Sequence, residues 1–224
     1  MKPRLHLELI SWVLLAFASA SCLHAETPAY HAELFTSLKL VYEDNFDGGK
    51  LNTGFWETRQ NTTWAVKDGV LSGGPSSKEF QATKQASADP SHAGLKPVIW
   101  LKKVPQNFVC TFRVRYDGKG YQRGFPLIDL GHHTHTLVFS EKATTLTIKK
   151  NVETLSATDP LFSINQWHEV AIELKKGAIL LKIDGQKHAF ESAGIDMTGQ
   201  AQIDFKGIDG GACQIDSVKL WEGS

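Results

Sequence analysis

The stretch NFVCTFRVRY, residues 107–116, constrains the fold more than any other part of the chain. Phe108, Cys110, Phe112, Val114 and Tyr116 fall at every second position, and Arg113 and Arg115 fall between them. On an extended backbone that spacing puts one apolar face against a core and leaves the arginines on the other. Shorter runs of the same kind follow one another: SLKLVYEDNF, TWAVKDGVLSGG, VIWLKKV, LIDL, HTLVFS, TLTIKK, WHEVAIELKKGAILLKIDGQKHAF, AQIDFKGI and QIDSVKLW. Asp68-Gly69, Lys176-Gly177 and Asp184-Gly185 punctuate them as hairpin turns. Beyond the N-terminus no window carries apolar residues at three- and four-residue spacing over about 10 positions, as an amphipathic helix needs. The pattern predicts an all-β chain of about a dozen short antiparallel strands in two packed sheets, a sandwich or jelly roll. Residues 73–97, rich in Ser, Lys, Ala and Gln, are expected to form a long surface loop.

The N-terminus stands apart from this framework. Lys2 and Arg4 precede SWVLLAFASA, an apolar run too short for a membrane span and followed by small residues. It reads as a secretory signal peptide over residues 1–25, with cleavage after Ala25 or Ala20, and predicts an exported, secreted or periplasmic protein. Lipid attachment at Cys22 fits less well, because Ser19 stands where a larger aliphatic residue is expected. A lead-in over 26–39 then precedes one domain over 40–224. Lys+Arg and Asp+Glu both number 24. Without a net field the chain is not built for nucleic acid or an anionic membrane, and no later run is long enough to span a bilayer. Export permits a Cys110–Cys213 disulfide, and two buried thiols fit the sequence equally well.

LIDLGHHTHTLVFS, residues 127–140, gathers three of the nine histidines: His132, His133 and His135. If the strand continues through them, His133 and His135 share a side and offer two nitrogens to zinc, with Asp129, Glu141 or His168 as a third ligand. The alternative is a turn at Gly131-His132-His133. Asp129 beside His133 and His135 is the best carboxylate–imidazole set for general acid–base catalysis near neutral pH. Arg113, Arg115, Tyr121 and Arg123 complete a polar patch able to hydrogen-bond a ligand.

The blocks WAVKDGVLSGG, FVCTFRVRY, NQWHEVAIELKKGAILLKIDGQ and CQIDSVKLWEG, in that order, resemble the concanavalin-like jelly rolls of the bacterial 3-keto-disaccharide hydrolase family. More distantly they are similar to laminarinase-type glycoside hydrolases and laminin G-like modules. The resemblance covers Leu40 to Gly223 and makes Trp64 and Trp167 packing positions. It implies carbohydrate as the partner, bound on a concave sheet by Arg113, Arg115, Tyr121, Arg123, Asp129, His133 and His135. It also implies, as alternatives, a hydrolase or lyase acting on a glycoside, including one already oxidised to a keto sugar, or a laminin G-like protein-interaction module. The Glu-x-Asp-x-x-Glu strand of the laminarinase type is absent. No cofactor is required, but the fold implies a structural calcium ion, for which Glu43, Asp44 and Asp216 are the oxygen donors.

Overall fold

The computed structural model describes residues 30–149, 153–157, 161–197 and 201–224. The expected signal peptide and Cys22 lie outside the described residues, and the compact unit runs from Ala32 to Ser224. Its strands are β1 Leu38–Asp44, β2 Trp56–Thr58, β3 Thr63–Lys67, β4 Val70–Gly74, β5 Val98–Lys102, β6 Phe108–Asp117, β7 Leu127–Leu130 and β8 His135–Phe139. They continue as β9 Thr144–Ile148, β10 Glu153–Ala157, β11 His168–Lys175, β12 Ala178–Ile183, β13 Gln186–Glu191, β14 Gln202–Lys206 and β15 Ala212–Gly223.

All pairings are antiparallel and build two sheets. One runs β13-β12-β11-β6-β15-β4-β3, with β1 also paired to β15. The other runs β10-β9-β8-β7-β14-β5-β2. The alternating residues of β6 face inward as the sequence predicts, and they meet Ile128 and Leu130 of β7, Leu137 and Phe139 of β8, and Ile203 and Phe205 of β14 in one core. Phe112 and Phe205 touch edge to face across it, ring centroids 5.1 Å apart. The expected architecture, a two-sheet antiparallel jelly roll, is what the chain forms.

The Asp68-Gly69 and Asp184-Gly185 turns take the left-handed conformations that two-residue hairpins require, with φ of 51° and 73°, and of 49° and 81°. At Gly73 the need is space: a side chain there would sit 2.4 Å from the Trp64 ring opposite it on β3. Trp64 thus packs on the core as the resemblance implied. Trp167 instead lies outside the core cluster, 5.0 Å beneath the Arg113 guanidinium.

One local expectation changes, and one pair of open alternatives is resolved. The 73–97 segment contains a helix, α1, over Lys78–Gln85. Only Phe80 and Ala82 are apolar in it, so periodicity could not reveal it. It is held at its ends, with the Ser77 hydroxyl accepting from the Phe80 N–H at 3.2 Å and buried Gln81 donating to the Ser76 carbonyl at 2.8 Å. The two cysteines are free and buried. Cys213 pairs with Tyr116 and Cys110 with Leu220, six residues apart along β6, or about 20 Å at strand rise, far beyond disulfide reach.

Phe205→Ala removes one ring of the pair that joins the sheets. Urea unfolding should show a loss of about 3–5 kcal/mol with an unchanged slope. A loss below about 1 kcal/mol would mean that this contact does not hold the sheets together.

Candidate functional site

The outer face of the seven-stranded sheet carries residues that charge alone would keep in water. β7 and β14 pair with Asp129 directly opposite Asp204. β5 adds Trp100 beside Asp204, and β8 adds Thr136 beside Asp129. Lys206 stands two residues beyond Asp204 and so on the same face. Both aspartates are wholly buried. Side chains opposite each other on antiparallel strands lie about 5 Å apart, close enough for two carboxylates to repel strongly. The Lys206 ammonium answers this: it donates to Asp129 Oδ2 and lies 3.5 Å from Asp204 Oδ2. Thr136 donates to the other oxygen of Asp129, and the Gln202 amide donates to Asp204 Oδ1 at 2.6 Å.

The turn after β7 supplies the remaining partners. Gly131, His132 and His133 have φ of 70°, 23° and 68°, a left-handed run that reverses the chain at once. His132 Nδ1 lies 2.9 Å from Asp204 Oδ2, and His133 Nδ1 lies 3.2 Å from Asp129 Oδ2. Asp204 accepts from His132, so Nδ1 of that ring carries the proton and its Nε2 is left as an acceptor, whereas His133 is held near Asp129 by proximity alone. The two imidazoles lie 4.3 Å apart, and His132 also packs 4.9 Å from the Trp100 indole. Their side chains are 34% and 48% exposed, whereas the carboxylates behind them are at 0%. Burial pushes the His133 pKa below its ordinary 6.5; Lys206 adds to the fall and Asp129 opposes it.

Above the imidazoles is a cavity of about 610 Å³, whose floor includes Trp100, His132, His133 and Lys206. Phe80 and Lys84 of α1 and residues 92–96 form one wall, so the segment expected to be a surface loop borders the cavity. Arg59 flanks it with its guanidinium 3.9 Å above the Trp100 ring.

Asp129 and His133 of the anticipated set come together. His135 does not join them, because alternation cannot run through three left-handed residues. It starts β8 on the side of Leu137 and Phe139, wholly buried, with Nε2 2.6 Å from the Asp196 carbonyl. Arg113 and Arg115 lie on β6 in the opposite sheet and pair with Asp216 at 3.1 Å and Asp117 at 2.7 Å. Tyr121 donates to the Phe162 carbonyl at 2.6 Å, and Arg123 is exposed on a turn closed by Gln122 and Phe125. Of the anticipated third zinc ligands, His168 is buried against Phe162 with Nδ1 on Asp184, and Glu141 is exposed.

The calcium donors are likewise engaged elsewhere. Glu43 pairs with Lys219 at 2.8 Å, Asp44 accepts from the Tyr42 hydroxyl and the Phe46 N–H, and Asp216 holds Arg113. Among the described residues no three His, Cys, Asp or Glu side chains are placed to share a metal ion. No described helix is long and apolar enough to cross a membrane.

Asp204, Lys206, Trp100 and Arg59 were not anticipated. For Asp204 and Lys206 a signal was present in QIDFK, where charges interrupt a strand otherwise apolar enough to be buried.

No family model and no curated protein sequence matches the chain. Solved structures do. They show the fold to be a concanavalin-like jelly roll. A GlcNAcα1-4Gal-releasing endo-β-galactosidase from Clostridium perfringens is similar at TM-score 0.61 and 13% identity, over 88% of this chain and 65% of that one. A structure described with endo-acting O-glycanases of the human gut microbiota that initiate mucin breakdown gives 0.59 and 13%, over 83% and 100%. SCLam, a non-specific endo-β-1,3(4)-glucanase from family GH16, gives 0.54 and 14%, over 84% and 92%. These neighbours are carbohydrate-active proteins.

Lys206→Met strands two buried carboxylates without their ammonium. Denaturant titration should show a loss of about 3–5 kcal/mol, much of it regained in Asp129→Asn/Asp204→Asn/Lys206→Met. A neutral single variant would mean that the carboxylates do not depend on Lys206.

Proposed function

We propose that the protein is an exported carbohydrate-active protein that takes a sugar in the cavity above Trp100 and performs acid–base chemistry through His133, with His132 beside it. One observation carries the reading: two partly exposed imidazoles stand at the cavity over two wholly buried carboxylates, His132 hydrogen-bonded to Asp204 through Nδ1 and His133 with Nδ1 3.2 Å from Asp129. Such an arrangement costs folding free energy through buried charge and a left-handed turn, and it leaves reactive nitrogens where a ligand can meet them. The carbohydrate-active proteins that share the fold support sugar as the ligand.

The same geometry disfavours the two-carboxylate route to glycoside hydrolysis, in which one acid attacks or activates water and the other protonates the leaving oxygen. Asp129 and Asp204 are covered by their own partners and cannot touch a glycosidic bond. The imidazoles suit proton abstraction instead. With its pKa held low, the His133 ring is neutral and basic at pH 7.

On a keto-glycoside of the kind implied by the resemblance, His133 would remove the proton from the carbon beside the ketone. The C–H electrons form a C=C bond, the glycosidic C–O bond breaks, and the departing oxygen takes the abstracted proton back from the His133 imidazolium. The products are an enone sugar and a free alcohol. The His132 ring, 4.3 Å away with its Nε2 bare, accepts a hydrogen bond from a sugar hydroxyl beside the reacting carbon.

Incubating the purified chain with 3-keto-glucosides should release the aglycone with loss of the proton beside the ketone, and His133→Gln should lower kcat by a factor of about 10²–10⁴. Because only the neutral ring is a base, kcat/KM should fall as pH drops through the His133 pKa, which lies below 6.5. Full turnover in His133→Gln would remove the base assignment. Sugar binding without turnover would leave a carbohydrate-recognising module.

A further inference from the structure

The walls of the cavity carry Arg59, Lys84, Lys96 and Lys206 and, among the described residues, no aspartate or glutamate. In a chain with 24 basic and 24 acidic residues this is a marked local imbalance. We infer that the sugar taken by this cavity is anionic, carrying a carboxylate or a sulfate group. The inference rests on the cavity being the sugar site and adds the chemical class of its ligand.

Each cation has an acidic partner, and the placement of those partners decides whether the positive surface is usable. Arg59 pairs with Glu57 at 2.6 Å, Lys84 with Asp89 at 3.3 Å and Lys96 with Asp209 at 2.6 Å. None of the three acids lines the cavity. Their side chains are 36%, 66% and 41% exposed, so a ligand anion that displaces one returns it to water at little cost. Lys206 differs: its partners Asp129 and Asp204 are wholly buried, and it stays with them. Exchange is therefore open to the Arg59, Lys84 and Lys96 side of the cavity, while the Lys206 side stays fixed beneath the imidazoles.

Arg59 is the best suited of the exchangeable groups. Its guanidinium is held over the Trp100 ring at 3.9 Å, so the planar fork is oriented before any ligand arrives, and a fork of this kind matches the two oxygens of a carboxylate or sulfate. Lys84 projects from α1 and Lys96 sits 4.2 Å over the Phe125 ring, each also positioned by its own element. A neutral sugar would leave these charges without use in the cavity.

Calorimetric titration can compare two matched pairs: oligogalacturonate against its methyl ester, and a sulfated carrageenan oligosaccharide against its desulfated form. At least one anionic member should bind roughly tenfold or more tighter than its neutral partner, the loss of one charge-assisted hydrogen bond. The winning pair identifies the anion. Arg59→Gln should cost about the same factor for the anionic probe alone, and rising salt should weaken that probe selectively. Equal affinity within both pairs, or full anionic affinity in both Arg59→Gln and Lys84→Gln, overturns the inference while leaving the cavity as a sugar site. Absence of binding by all four probes overturns it too, and turnover of keto-glucosides then judges the proposed function separately.

Discussion

One ammonium between two carboxylates is the constraint on which the site depends. Asp129 and Asp204 are opposed by strand register and buried by what covers them, and the Lys206 ammonium bridges the two. Once the three are in place, the remaining acceptor capacity of each carboxylate faces the turn after β7. The imidazoles of His132 and His133 face it, and the hydrogen bond to Asp204 gives His132 a fixed tautomer and a fixed direction. A structural demand of the sheet thus becomes a chemical property of the cavity floor.

The jelly roll provides that demand through its connections. β7 and β14 come from distant parts of the chain, with Lys206 and Asp129 separated by 77 residues. Phe205, between Asp204 and Lys206 on β14, points the other way into the core and meets Phe112 of the opposite sheet. Packing between the sheets therefore sets the strand whose outer face carries two members of the charge cluster. α1 and residues 92–96 then turn an open sheet face into a walled cavity.

Much of the fold was legible because alternation and Gly turns are local signals. The inward set on β6 and the hairpins at Asp68-Gly69 and Asp184-Gly185 could be read directly. The site was legible only in part. Period two tells which residues share a face but not which sheet a strand joins, and β6 and β7, consecutive in the chain, enter different sheets. Arg113 and Arg115 are consequently remote from Asp129. The same period failed at His133 and His135, since three successive left-handed residues end the strand geometry it assumes. Asp204 and Lys206 escaped notice because their importance lies in strand pairing, which sequence spacing does not encode.

The central claim concerns the protonation of the two imidazoles, and long-range proton–nitrogen NMR of the histidine rings measures this directly. At neutral pH, His132 should report a protonated Nδ1 and a bare Nε2 in its neutral form, His133 should report a neutral ring, and both Nε2 signals should shift when a sugar fills the cavity. A proton found on His132 Nε2 instead would mean that buried Asp204 does not orient that ring, a charged His133 would leave the site without its base, and with either result the acid–base reading of the site would fall.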